Sequence, residues 1–129
     1  DLARRGWPLM ERDDRFLAAL LTLKCSDLGH GAKRLYLHQE WSRRVTEEFL
    51  AQGDDEMTLG IAVSAGMDRK LVRLETSQYD FLSTAIMPLF MFYTSHFVGC
   101  RPLLEQIQQN MQFWIQRIKE VNLSKTKFQ

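Results

Sequence analysis

Cysteine and long hydrophobic runs are both scarce in this chain of 129 residues. Its two thiols, Cys25 and Cys100, are too few for the disulfide framework of a small secreted domain, and no signal-peptide pattern follows Asp1. The most apolar window, 81–93, contains Pro88 and is shorter than the roughly 20 residues that a membrane span requires. We therefore expect two buried thiols in a reducing, cytoplasmic compartment, and no membrane span.

An excess of charge of one sign is also missing. There are 17 Lys and Arg against 16 Asp and Glu, which gives a formal net charge of +1. A nucleic-acid-binding surface needs a continuous basic face, so we expect no nucleic-acid partner. The hydrophobic share of 45% is that of a folded globular protein, and the length suffices for one domain with a core.

Strand patterns are almost absent, and helical periodicity runs through most of the chain. We predict helices over about 13–26, 34–52 and 103–121, and a further helix from Ser77 that is kinked at Pro88. Without internal repeats or a linker, residues 1–129 are expected to form one all-α, multi-helix bundle.

Local signals near the middle of the chain predict a break in the second helix. Gly53 is placed to close that helix in a left-handed C-terminal cap. The acidic run Asp54-Asp55-Glu56 would then suit the positive end of a short helix. Residues 60–67 are predicted to form an irregular loop.

The last helix carries an apolar seam with alternating spacings of three and four residues. Such a seam is shared by coiled coils and by helices that face a core of their own. With fewer than three heptads, intramolecular packing is favoured, and a homodimer is the alternative. The seam comprises Leu104, Ile107, Met111, Trp114, Ile118 and Val121.

Asp27 is a lone carboxylate where an apolar helix meets a glycine-rich turn. On the residues alone, the favoured interpretation is a helix-end carboxylate that accepts hydrogen bonds from Lys24 or from loop amides. A zinc site needs at least three protein ligands. A set formed by Asp27, His30 and His38 can be drawn, but it departs from known ligand spacings.

Gln78 and Phe81 are three residues apart, which places them on the same face of a helix. Taken alone, they indicate a glutamine in a first helical turn and a phenylalanine in the core. The amide can both donate and accept hydrogen bonds, so it is also suited to reading the edge of a base.

Five short motifs together resemble the C-terminal part of the class I cyclic nucleotide phosphodiesterase catalytic domain, over roughly 16–92. Each motif is weak alone, and their order and spacing give the resemblance. They are Lys24-Cys25-x-Asp27, Gln39-x-Trp41, Phe49-x-x-Gln52-Gly53-Asp54, Ser64-x-x-x-Asp68-Arg69 and Ser77-Gln78-x-x-Phe81.

This resemblance implies an enzyme of signal transduction that hydrolyses cyclic AMP, cyclic GMP or both to the 5′-monophosphate. Two metals, zinc and magnesium or manganese, polarise the phosphate and activate water in such enzymes. Asp27 matches a ligand of the tighter metal, whose other ligands lie in upstream His-Asn-x-x-His and His-Asp motifs. Neither motif occurs in this sequence. We therefore expect a fragment whose partner is the upstream half of the same catalytic domain.

That upstream half would also supply the histidine that protonates the leaving oxygen. No catalytic residue is therefore assigned within this chain, and the chain alone is expected to be inactive. The alternative is a catalytically inactive helical module that binds or dimerises through the Leu104–Val121 seam.

The resemblance also implies a purine pocket. Gln78 would read the edge of the base, Phe81 would stack on its face, and Val45 would close the clamp. His30 stands where many members have asparagine, and His38 where tyrosine is common, so the choice between adenine and guanine stays open. Further pocket positions implied by the resemblance are Leu28, His30, Trp41 and Phe49.

Overall fold

The computed structural model describes residues 12–126, in which helices are joined by turns and no strand occurs. This confirms the all-α prediction. The predicted single domain over 1–129 also includes residues outside the described range. The α-helices are α1 (Arg12–Asp27), α2 (Leu35–Thr58), α3 (Leu74–Phe81), α4 (Met87–His96) and α5 (Arg101–Thr126).

Two short helical segments link these elements at the places that matter for the site. A 3₁₀ turn, Gly29–Ala32, separates α1 from α2 at the predicted glycine-rich break. A π-helical turn, Leu82–Ile86, joins α3 to α4, whose second residue is Pro88. The Met87 amide reaches back five residues to the Leu82 carbonyl. A wider turn at this point is understandable, because proline has no N–H to continue the regular ladder.

The core lies where α5 packs along the π turn and α4. Leu82, Ile86, Phe90 and Ile107 are fully buried, or nearly so. The other buried members of the cluster are Cys25, Tyr93 and Trp114. Leu104 and Met111 pack against this core from the same face of α5. The seam of α5 therefore serves intramolecular packing, as the sequence favoured.

The predicted end of the second helix is wrong. α2 continues through Gly53 to Thr58, and within the described range only Gly60 and Gly66 have a positive φ. Gly53 is buried instead against the backbone carbonyl of Met67, where a β-carbon would overlap the carbonyl oxygen. The glycine thus permits a close approach of two backbone segments and does not cap a helix.

The apolar face of α1 is largely uncovered. α1 buries only Ala18 and Cys25. Large apolar side chains that remain exposed on this helix are Phe16, Leu17, Leu20 and Leu23. Across the described residues, no helix has the length and apolar character needed to cross a membrane.

Candidate functional site

A cavity of about 360 Å³ lies between the end of α1, the middle of α2 and α3. Its volume falls within the range of small-molecule sites. Every predicted pocket residue except Trp41 contributes to its wall, although their separate roles stay predictions. The lining residues are Asp27, Leu28, His30, Val45, Thr46, Phe49, Gly66, Ser77, Gln78 and Phe81.

The wall on α2 is formed by Val45 and Phe49, one helical turn apart, with Thr46 beside them. Phe49 is 47% exposed, because its ring faces the cavity and not the core. Trp41 belongs to the same stripe but is 45% exposed and lies outside the cavity wall. The structure therefore brings Val45 and Phe49 to the site and leaves Trp41 on the surface.

On α3, the buried amide of Gln78 is incompletely hydrogen bonded. Its Nε2 donates to Thr46 Oγ1 over a long 3.4 Å. Its Oε1 is buried and has no hydrogen-bond partner among the described residues. A buried acceptor without a partner costs free energy, so a ligand donor that reached this oxygen would be favoured.

Phe81 belongs to a stack of three rings that runs from the cavity into the core. The Phe81 and His30 rings are nearly parallel, with centroids 5.7 Å apart and an interplanar angle of 6°. The His30 and His38 rings follow at 6.0 Å and 11°. These separations describe offset stacking, which supports Phe81 on the side of His30.

His38 anchors this stack from below. The ring is fully buried: its Nδ1 lies 3.1 Å from the His30 carbonyl oxygen, and its Nε2 accepts the indole N–H of Trp114 at 2.8 Å. These partners place the single ring proton on Nδ1. Burial lowers the pKa of His38 from its usual 6.5 to about 4, so the ring is neutral. Burial, with a smaller contribution from Lys33, also lowers the pKa of His30.

Asp27 is the last residue of α1, and its carboxylate is exposed. This carboxylate makes no hydrogen bond or ion pair with any described residue. The expected donors, Lys24 and the loop amides, therefore do not bind it. The same residue borders the cavity and an open apolar groove along α1. Within 12–126 no cluster of three His, Cys, Asp or Glu could hold a metal, so the set drawn with His30 and His38 is not formed.

The sequence did not predict two long-range contacts, one made by the pocket residue Gln78 and one made by His38, which belongs to the ring stack and not to the cavity wall. Thr46 meets Gln78 across 32 positions of sequence, and Trp114 meets His38 across 76. The Gln78 and Trp114 side chains come from elements whose packing is not encoded in local periodicity. The sequence offered one hint of the contact with Gln78: Thr46 is polar and directly follows Val45, which was assigned to the pocket.

The chain matches the family model described as 3'5'-cyclic nucleotide phosphodiesterase over residues 5–107. It is 32% identical over 100 residues to "3',5'-cyclic-AMP phosphodiesterase 4" of Dictyostelium discoideum, which covers 78% of this chain and 10% of that protein. It is 36% identical over 83 residues to human "cGMP-inhibited 3',5'-cyclic phosphodiesterase 3A", which covers 64% of this chain and 7% of that protein.

A solved structure, LmjPDEB1 in complex with IBMX, superimposes with a TM-score of 0.83 at 26% sequence identity. The match covers 92% of this chain and 36% of that one. The chain therefore spans only a small part of the curated relatives that it matches, and about a third of a solved relative.

Proposed function

Since the chain belongs to the 3'5'-cyclic nucleotide phosphodiesterase family, we propose that it forms the purine pocket of a catalytic domain and contributes one metal ligand to it. The reaction would be hydrolysis of the 3′,5′-cyclic phosphate of cyclic AMP, cyclic GMP or both to the 5′-monophosphate. The observation that carries this proposal is the buried, unpartnered Oε1 of Gln78 in a cavity walled by Phe81 and Val45.

A purine fits this arrangement chemically. Its flat face would lie against Phe81, whose ring is braced by His30, and Val45 would contact the opposite face. Stacking of this kind stabilises a bound base by about 1–3 kcal/mol without distinguishing adenine from guanine. An N–H on the edge of the base would satisfy the Gln78 oxygen.

The single hydrogen bond to the Gln78 amide is compatible with binding of both adenine and guanine. Its one hydrogen bond is long and ends at the Thr46 hydroxyl, which can donate as well as accept. The amide can therefore turn over without losing that partner. One orientation presents the donor and acceptor pattern that pairs with adenine, and the other the pattern that pairs with guanine.

Asp27 fits a metal ligand, because its carboxylate is exposed, makes no hydrogen bond or ion pair with the described residues and borders the purine cavity. A divalent cation such as zinc, magnesium or manganese would polarise the cyclic phosphate and activate water. The role of this chain is to offer one anionic oxygen at that place and to hold the base. The other ligands and the proton-donating histidine would come from the upstream half of the domain.

The uncovered face of α1 supports such an upstream partner. Three exposed leucines, Leu17, Leu20 and Leu23, line the groove that ends at Asp27. The exposed Phe16 adjoins Leu17 in sequence. Exposed apolar patches of this kind mark surfaces that another protein segment covers. A segment that covered this face would bring its own ligands close to Asp27. The alternative module that binds through the α5 seam has no such support, because Ile107 and Trp114 of that seam are buried.

Substitution of Gln78 and Phe81 in the complete catalytic domain tests the pocket. Gln78→Ala should weaken binding of the transition state by about 1–3 kcal/mol, because the edge of the base loses its hydrogen-bond partner. Phe81→Ala should raise the Michaelis constant for both nucleotides alike. The measurements are kcat and KM for each nucleotide beside a melting curve, with exposed Gln112→Ala and Phe92→Ala as matched controls. Early melting of Phe81→Ala with normal affinity while folded would make Phe81 a plain core residue.

A further inference from the structure

The segment 59–73, which joins α2 to α3, is held against α2 by polar contacts that the proposed reaction does not use. Gly66 of this segment forms part of the cavity wall. The segment also carries the Ser64-x-x-x-Asp68-Arg69 motif, for which the purine pocket gives no role. Whatever fixes this segment therefore also fixes one side of the pocket.

Arg69 makes the most extensive of these contacts. Its Nη1 and Nη2 donate to the two carboxylate oxygens of Glu47 at 3.1 and 2.9 Å. Its Nε and Nη2 donate to Asp54 Oδ2 at 3.0 and 2.8 Å. Glu47 and Asp54 lie seven residues apart, which is two turns along one face of α2. The planar guanidinium spans both, as the compact ammonium of a lysine could not.

Two other contacts secure the segment on either side of Gly66. The buried carboxylate of Glu56 accepts the Ser64 amide at 2.6 Å and the Ser64 hydroxyl at 2.8 Å. Gly53 brings α2 against the Met67 backbone. Gly66 thus lies between two anchored neighbours, and Arg69 holds the rest of the segment as it turns toward α3.

We infer that Arg69 is a positioning residue of the nucleotide pocket, which sets how the α2 wall faces the α3 wall. The inference rests on the proposed function for its substrate. Val45 and Phe49 lie on α2, and Gln78 and Phe81 lie on α3. Segment 59–73 is the covalent link between them, and its Arg69 binds α2 at Glu47 and Asp54, on either side of Phe49 in sequence. Loosening this link would let the two halves of the clamp separate while the core stays intact.

The exposure of the ion pairs distinguishes this role from a purely stabilising one. The side chains of Arg69, Glu47 and Asp54 are 45%, 58% and 50% exposed. Ion pairs this exposed contribute little to global stability. A substitution at Arg69 should therefore affect the segment and the pocket far more than the melting temperature.

The test uses the complete catalytic domain with Arg69→Met, Arg69→Lys and the control Arg73→Met. Arg73 is an exposed arginine of the same segment without an ion pair among the described residues. Arg69→Met should raise KM for both cyclic nucleotides by about three- to tenfold, which corresponds to the loss of a modest contact network. We expect kcat to stay within about twofold, because no reacting group moves. Arg69→Lys should lie between the unaltered domain and Arg69→Met, and Arg73→Met should match the unaltered domain.

Hydrogen exchange of 59–73 provides a readout that does not depend on activity. Exchange in this segment should rise in Arg69→Met and not in Arg73→Met, with melting temperatures unchanged. Raised exchange with an unchanged KM would overturn the positioning role. Unchanged exchange would show that Arg69 does not hold segment 59–73 against α2. If the unaltered domain hydrolyses neither nucleotide, the proposed function fails, and the exchange rates still decide whether Arg69 holds the segment.

Discussion

At the scale of single residues, His38 connects the pocket to the core through two hydrogen bonds that fix its ring proton on Nδ1. Its Nδ1–H reaches the His30 carbonyl, and its Nε2 receives the Trp114 indole N–H. The contact with Trp114 needs the neutral ring, because only an unprotonated Nε2 can accept a hydrogen bond. This agrees with a pKa lowered by burial to about 4. Protonation would place a donor on Nε2 opposite the donor of Trp114, so the folded state resists it.

This proton makes stability depend on pH in a defined window. Between pH 6.5 and about 4 the unfolded chain protonates His38 and the folded chain does not, so stability falls as pH is lowered through that window. The loss from His38 is at most about 3 kcal/mol. His38→Gln keeps an acceptor for Trp114 but cannot titrate, so urea unfolding should show a flatter pH dependence. Some slope should persist, because the pKa of His30 is also lowered. An unchanged pH dependence in His38→Gln would contradict the assignment of a lowered pKa to His38.

Asp27 gives the second prediction at this scale. Asp27→Ala in the complete catalytic domain should remove most activity and release bound zinc, because an anionic ligand is lost. Asp27→Asn should fail as well, since a neutral amide is a poor substitute for a carboxylate. Asp55→Ala, an exposed aspartate on α2, should leave both metal content and turnover unchanged. Normal zinc content in Asp27→Ala would return Asp27 to the role of an ordinary helix-end residue.

At the scale of secondary-structure elements, α2 shows what local signals could not settle. Gly53 before three acidic residues is typical of a helix end, and the helix nevertheless continues to Thr58. Tertiary contacts decide the matter, because Glu56 binds Ser64 and the backbone of Met67 lies against Gly53. Neither contact can be inferred from the spacing of residues within α2.

Gly53→Ala tests this explanation through the sign of its effect. In an unobstructed helix interior the change would stabilise by about 0.5–1 kcal/mol. Here the new methyl group would overlap the Met67 carbonyl, so we expect destabilisation of at least about 1 kcal/mol by urea unfolding. Gly99→Ala is the matched control, since nothing lies within 4 Å of its added β-carbon. A stabilised Gly53→Ala variant would show that segment 59–73 does not press against α2.

At the scale of the whole molecule, periodicity and motif order predicted the fold class and the family, because both depend on many residues at once. The grouping of Asp27, Gln78 and Phe81 at one cavity was likewise available from the resemblance. The stack through His30 and His38 to Trp114 was not, because it depends on how α5 packs. The exposure of the apolar face of α1 could not be predicted, since an amphipathic pattern shows that a face is apolar but not which segment covers it.

That uncovered face and the isolated Asp27 lead to the last prediction, which concerns the chain as a unit. The 129-residue chain alone should not hydrolyse cyclic AMP or cyclic GMP with zinc and magnesium present. Its described residues offer no cluster that could hold a metal, and one carboxylate cannot supply three ligands. Turnover should return when a separately produced upstream half is added, and that half should protect the Phe16 to Leu23 face of α1 from hydrogen exchange. Asp27→Ala in the mixed halves should abolish the recovered activity. Metal-dependent turnover by the chain alone that disappears in Asp27→Ala would instead show that these residues assemble a complete site without a partner.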